Sequence, residues 1–405
     1  MKQPTTNMKI LVLNCGSSSV KYKLIDMPQG TVVAQGQVEK LGLEGSFLKV
    51  KLPNGEKVIL EKPLKEHTAA IDFILQTLLG KEYGCLKSLD EISAVGHRLV
   101  HGGDRYNKSV LITDKVISDV IEFTNLAPLH NPATLSGVRA VTELLPKAPQ
   151  VGVFDTAFQQ TMPEYVYRYA LPYDYCAKYG IRKYGFHGTS HRYVSRRACE
   201  ITGLDYNKSK IVTAHIGNGA SMNAILNGKV LDTSLGMTTM EGLMMGTRSG
   251  CLDAGALIHL GKEAGLSYDE LSEVINKKSG VLGVSGVSSD MREIEEAISQ
   301  GNERAKLALK MYDYQIRKFL GAFAAAMGGL DLLVFTGGVG ENQTITRETV
   351  CDHMEFMGIE IDKKHNAAVH GEEAVISTPQ SRVKVLVVPT DEELMIATDT
   401  YEIVR

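Results

Sequence analysis

LVLNCGSSSVKYKLID, residues 11–26, reads as an apolar strand, a tight polar turn and a second strand. The turn Asn14-Cys15-Gly16-Ser17-Ser18-Ser19 carries no bulky side chain. It offers backbone N–H groups, three hydroxyls and an amide, with Lys21 just beyond. Small residues let a backbone come close to an anion, and successive N–H groups can cradle it. Two readings follow: a hairpin that grips a phosphate, or an ordinary Ser/Gly hairpin.

A second stretch repeats this layout about 200 residues later, a spacing that fits a duplicated domain and not a solenoid repeat. Residues 210–216 form an apolar strand, Gly217-Asn218-Gly219-Ala220-Ser221 a small-residue turn, and residues 222–226 a second strand. Asn227-Gly228 then turns into a third strand. A further glycine-rich turn, Thr336 to Asn342, follows the buried strand at 332–335. Two such hairpins imply two similar α/β domains facing one another, each giving a phosphate loop to a shared cleft. They also favour the phosphate reading of the first turn.

The bulk numbers fit. A chain of 405 residues with 43% hydrophobic content has room for two domains, each with its own core. A net charge of -3 argues against a general binder of nucleic acid or membrane surface. No apolar run is long enough to span a bilayer, and the start has no signal-peptide layout. The six scattered cysteines form no CxxC pair, which points to reduced thiols in a cytoplasmic protein. The histidines show no HExxH spacing. A P-loop, a Rossmann fingerprint after the first strand and the protein-kinase motifs are all missing.

Between the hairpins, alternating residues at 31–38 and 47–52 and the Asn54-Gly55 turn predict an antiparallel meander. Helices are expected at 66–80, 113–125, 133–145, 188–202, 255–265, 268–277 and 303–327, with another from about 345 and one at the C-terminus. A domain boundary falls near 156–165. The Gly- and Met-rich run at 237–255 lacks periodicity, which is more often functional than idle. Its methionines read as packing.

Candidate chemistry follows from context. Arg98 comes just after the short buried strand at 92–96, and Arg248 sits in Gly-Thr-Arg-Ser-Gly with no helix face to decorate. Such an arginine can reach into a cleft and hold oxyanions bidentately. Asp155 ends a buried strand, where open α/β sheets put their working groups; a helix cap or turn residue is the other reading. His187 lies between glycines in YGFHGTSH, which suits close ligand approach, whereas His191 reads as structural.

Nine segments, in order, resemble the acetate kinase (acetokinase) family: NCGSSSVKYKL, GHRLVHGG, FDTAFQ, YGFHGTSH, HIGNGAS, MEGLMMGTRSG, SSDMREI, FTGGVGEN and PTDEELMIA. The resemblance runs from about Met8 to the C-terminus. It implies an α/β fold of duplicated ribonuclease H-like domains (actin, hexokinase and Hsp70-like) with a central cleft. The N-terminal domain would take 1–157 plus 393–405, and the C-terminal, nucleotide-binding domain 158–392. It implies a homodimer that transfers the ATP γ-phosphoryl group directly and reversibly to acetate with Mg2+, or Mn2+ in its place, giving acetyl phosphate and ADP. Domain closure about hinges near 156–165 and 389–393 would exclude water.

Carried over residue by residue, Asn14 and Glu392 resemble the metal-side residues. Ser17, Ser19 and Lys21 resemble the groups on the transferred phosphate. His215, Ile216, Gly217, Asn218 and Gly219, with Asp290, Met291 and Arg292, and with Gly338, Val339, Gly340, Glu341 and Asn342, resemble the ATP-contact segments. Arg98, Asp155, His187 and Arg248 resemble the catalytic set, with Asp155 open to a metal, base or orienting role. Arg98, Val100, Leu129 and Phe186 fall where the family binds the small acid. Thr239, Cys251, Ala254 and Asp391 depart from the family pattern and bear on the acyl chain, acetate or propionate. A propionate or other short-chain acyl kinase is therefore the near alternative, and an actin-like nucleotide switch the remote one.

Overall fold

The structure, a computed structural model, describes residues 6–128 and 130–405. Leu129, expected in the small-acid pocket, lies outside the described residues. The chain forms two compact units, one reaching to Phe158 and resuming at Asp391–Arg405, the other spanning Gln159–Thr390.

The first unit is built on an eight-stranded sheet of β1 (Met8–Cys15), β2 (Ser19–Met27), β3 (Thr31–Glu39), β4 (Phe47–Lys51), β5 (Lys57–Glu61), β6 (Ile92–Leu99), β7 (Val110–Leu111) and β8 (Gln150–Phe154). Their order is β5-β4-β3-β2-β1-β6-β8-β7. The strand β1 is apolar and fully buried from Ile10 to Leu13 because both of its faces are covered there. Leu11, Leu13 and Cys15 point into a core that includes Ala70, Ile71, Ile74 and Leu75 of the helix His67–Leu79 and Ala140 and Val141 of the helix Asn131–Leu144. Ile10 and Val12 face Ile396, Ala397 and Tyr401 of the C-terminal helix Glu392–Val404. Each leucine so buried is worth about 1.5–3 kcal/mol. Cys15, the odd residue of the opening turn, is a packing atom: a Cβ on Gly137 would lie 2.4 Å from its Sγ.

The second unit holds β9 (Lys210–Ile216), β10 (Ala220–Leu226), β11 (Lys229–Thr233), β12 (Leu332–Thr336), β13 (Ala374–Val375) and β14 (Lys384–Val387) in the order β11-β10-β9-β12-β14-β13. This reproduces β3-β2-β1-β6-β8-β7 strand for strand. In both, a three-stranded antiparallel meander continues into two parallel strands and ends in an antiparallel edge. The helices Gly188–Thr202 and Glu303–Met327 pack on this second sheet. The duplication expected from two similar hairpins is thus a property of whole sheets.

One local reading changes. The stretch read as a glycine turn after β12 is itself a short helix, Gly337–Asn342. Gly337 makes the entry: its φ is +77°, and a Cβ there would meet the Ile216 carbonyl oxygen at 2.8 Å, so no other residue fits.

On β6, buried His97 donates from Nε2 to the Gln150 carboxamide oxygen at 2.8 Å, and burial pushes its imidazole down to about 4. The folded protein therefore favours the neutral ring. That stability is complete above the unfolded value near 6.5 and is lost as pH falls through the folded value. His97→Asn should flatten the fall in unfolding free energy between pH 6.5 and 4 by up to about 3 kcal/mol. Denaturant melts across that range check this, and identical slopes for variant and parent would refute it.

Candidate functional site

In the first unit, sheet register gathers the polar residues. Leu13 of β1 pairs with His97 of β6, and Leu99 of β6 with Phe154 of β8. Asn14, Arg98 and Asp155 therefore emerge together at the carboxyl ends of three parallel strands, where α/β sheets place their working groups. Arg98 donates from Nε to Asp155 Oδ1 at 3.2 Å, from Nη2 to Asp155 Oδ2, and from Nη1 to Asn14 Oδ1 at 3.3 Å. Asp155 is 1% exposed. Burial alone would lower the Arg98 pKa; Asp155 and Glu392 outweigh it and the net direction is upward. Half-buried Glu392, at the start of the C-terminal helix, has its carboxyl pushed up to about 7 by burial and by Asp155.

The opening turn keeps the accessibility its sequence implies. Ser17 and Lys21 are exposed, and Ser19 and Asn14 are half-buried. Lys21 pairs with Asn14 across the β1–β2 hairpin. The Gly16 carbonyl accepts from His67 Nε2 at 2.9 Å, an anchor with no local signal in the sequence. Val100 is buried just beyond β6.

In the second unit, Thr336 of β12 pairs with His215 of β9, so the loops after both strands meet. They border a cavity of about 630 Å3 lined by Gly217, Asn218, Asp290, Met291, Arg292, Gly338, Val339 and Asn342 of the predicted set. Gly246, Ser289, Glu295, Tyr312 and Gln343 complete it. Gly246 has no room for a side chain, since a Cβ would lie 1.9 Å from Asn218 Oδ1. Tyr312 belongs to the apolar stripe of its helix, yet its buried hydroxyl has no hydrogen-bond partner among the described residues. Gln343 donates to Glu295 Oε1 at 2.9 Å and accepts from Thr346 at 2.7 Å, which orients an acceptor on the cavity wall. Exposed Arg292 forks onto Asp290, which caps the helix Met291–Ser299.

Other predicted positions point elsewhere. Ile216 and Gly340 are buried, and Glu341 turns inward, its carboxylate accepting from Gly337 N at 2.8 Å, Thr390 N at 3.2 Å and Thr336 Oγ1 at 3.3 Å. Glu341 thereby fastens the glycine loop. Phe186 is buried, and its carbonyl accepts from Gln159 at 2.8 Å.

His187 and Arg248 meet beside Gly219. A Cβ there would lie 3.3 Å from Arg248 Nη1 and 3.9 Å from His187 Cε1. His187 adopts a left-handed φ of 57° before the helix Gly188–Thr202 and stacks on His215, with ring centroids 4.4 Å apart. Arg248 donates from Nη1 to the Thr239 carbonyl at 3.2 Å and to the Met245 sulfur at 3.5 Å, and has no carboxylate partner among the described residues. Burial pushes its pKa down. A half-buried cation without a counter-ion is a seat for an anion. No group of three or more His, Cys, Asp or Glu side chains among the described residues could hold a metal ion. No helix among them is long and apolar enough to cross a membrane.

Residues 9–398 match the model of the acetokinase family. An acetate kinase of Porphyromonas gingivalis is 68% identical over 98% of this chain and all of its own length. The crystal structure of an acetate kinase from that species superposes with a TM-score of 0.96 at 68% identity, covering 98% of this chain and 100% of that one. A propionate kinase from Francisella tularensis superposes at 0.90 with 39% identity, covering 98% and 100%.

The Glu341 anchor is open to direct measurement. Glu341→Ala leaves three donors without their acceptor and should lower unfolding stability by about 1–3 kcal/mol. An unchanged thermal midpoint would show that the carboxylate does not hold the loop.

Proposed function

The chain belongs to the acetokinase family, and on that premise we propose that it transfers the γ-phosphoryl group of ATP reversibly to acetate, giving acetyl phosphate and ADP. The observation that carries this reading is Arg248, a half-buried guanidinium beside a glycine loop with no carboxylate to meet it. A carboxylate nucleophile is already ionised, so the reaction needs no strong base. Its difficulty is bringing anions together in line. Arg248 offers an uncompensated charge to the planar transferring group. Arg98, held by Asp155 and Asn14, presents a fixed fork to the acid. His187, beside Arg248, donates a hydrogen bond to the transferring group; in the first unit, Ser17, Ser19 and Lys21 offer donors for phosphate oxygens. Asp155 acts by orienting Arg98.

The nucleotide occupies the 630 Å3 cavity, with the glycine loops at its phosphates. Glu295 gives the base amine an acceptor and the Tyr312 hydroxyl finds its partner there. Asn14 and Glu392, with Asp155 nearby, fit a Mg2+ or Mn2+ ion held largely through water. These are hard oxygen donors; burial, and after it the neighbouring Asp155, raises the Glu392 carboxyl, and a divalent cation would relieve the part that comes from Asp155. When bound, the ion neutralises phosphate charge.

Homodimer formation is part of this reading. The helix Ala254–Ala264 buries none of its residues and leaves Ile258 59% exposed, an apolar surface that suits a second copy. Free cysteines at all six positions suit a reducing, cytoplasmic compartment.

Three outcomes test the proposal. Purified protein with Mg-ATP and acetate, propionate or butyrate, followed by hydroxylamine trapping, should yield most acyl phosphate from acetate. No product from any acid would sink the kinase reading, and preference for propionate would transfer it to that substrate. Arg248→Ala should fold and lose about three to five orders of magnitude in turnover; activity within tenfold of the parent would remove it from catalysis. Ile258→Glu should sediment as a monomer, and an unchanged dimer would place the interface elsewhere.

A further inference from the structure

We propose that Thr213, His191 and Ser221 form a one-way hydrogen-bond relay that fixes which nitrogen of His187 carries the proton, so that Thr213 and Ser221 are positioning residues for the transfer. The use made of His187 rests on the phosphotransfer reading; the relay itself is a property of the resting protein.

The direction follows from counting donors. Thr213 lies on β9 and is fully buried. Its hydroxyl has His191 Nδ1 at 2.7 Å as its hydrogen-bond partner among the described side chains. A buried hydroxyl must place its proton on an acceptor, so His191 Nδ1 accepts. His191 is also fully buried; burial, and then the nearby His215, hold its pKa well below the ordinary histidine range. A neutral imidazole has a single N–H, and with Nδ1 accepting it lies on Nε2. That nitrogen is 2.7 Å from Ser221 Oγ and donates to it. Ser221 is fully buried as well, and its one proton goes to its other neighbour, His187 Nδ1, at 2.8 Å. The proton of neutral His187 is then on Nε2.

Running the chain backwards strands the Thr213 hydroxyl proton inside the sheet, which costs a buried donor its bond. The forward direction leaves each atom of the chain satisfied. It also gives His187 the tautomer that its task requires, because an Nε2–H attracts a phosphoryl oxygen and an Nε2 lone pair repels it. None of this is visible in the sequence, where Thr213 looks like an ordinary strand residue and Ser221 like the last of a small-residue turn.

The test uses full-length protein labelled with 15N-histidine, with resonances assigned by His187→Gln and His191→Gln, and two-bond nitrogen–proton correlations to read each tautomer. In the parent, His187 and His191 should both carry their proton on Nε2. Thr213→Val should give a mixture of tautomers at both rings, although it touches only His191. It should lower kcat roughly three- to tenfold, with KM for ATP and acetate within about twofold, the effect of weakening one hydrogen bond. Thr213→Ser should restore both readouts. A proton on Nδ1 of His187 in the parent overturns the relay, as does a Thr213→Val spectrum in which His187 is unchanged. If Thr213→Val does not fold, the parent spectrum decides alone. Protein that forms no acyl phosphate would sink the phosphotransfer reading and still leave the relay to be judged by its spectrum.

Discussion

A guanidinium drawn half out of water must be met by something, and three arginines of this protein meet that demand in different ways. Arg98 is met by a carboxylate and an amide. Arg347 is fully buried and satisfied by oxygens of Asn366, Gly340 and Val369, at the cost of a pKa pushed down to about 10 by burial. Arg248 has one carbonyl and a methionine sulfur. Its charge is left over, and keeping it so has structural consequences. The surrounding run must be glycine-rich, because the backbone approaches closely at Gly246 and Gly250 and side chains would fill the space. It must also be irregular, because a helix would carry Arg248 to a solvated face.

The duplicated sheet explains why such a site can be assembled twice over from similar parts. Each unit runs an antiparallel hairpin into parallel strands, so each gathers its polar residues where parallel strands end. The first unit spends those positions on the Asn14, Arg98 and Asp155 set. The second spends them on glycine loops around a cavity. The same topology therefore supports a charged cluster in one unit and an open, backbone-lined site in the other.

Much of this was legible in the chain. Two hairpins with small-residue turns announced the duplication, and Gly-Thr-Arg-Ser-Gly pointed to an arginine off any helix face, which the structure leaves without a carboxylate partner among the described residues. What could not be read were residues whose roles exist only in three dimensions. Tyr312 sits in a helical apolar stripe and is indistinguishable there from a core residue, until it is seen to border the cavity with its buried hydroxyl unpaired among the described residues. Glu295 and Gln343 lie on different helices and meet through a hydrogen bond that no local spacing encodes. Glu341, grouped with the nucleotide contacts by its motif, anchors the loop from within. The helix Gly337–Asn342 was hidden because its glycines carry weak helical propensity and its start depends on one left-handed residue.

The central claim is that the uncompensated charge of Arg248 is kept for a phosphoryl group. Its most direct test is calorimetric titration of acetyl phosphate into the protein without nucleotide, comparing the parent with Arg248→Ala. The account predicts that the variant, folded to the same thermal midpoint within a few degrees, binds at least about tenfold more weakly, the loss of one charge-assisted contact. Equal affinity in the two proteins would mean that the charge serves some other purpose, and would contradict the account.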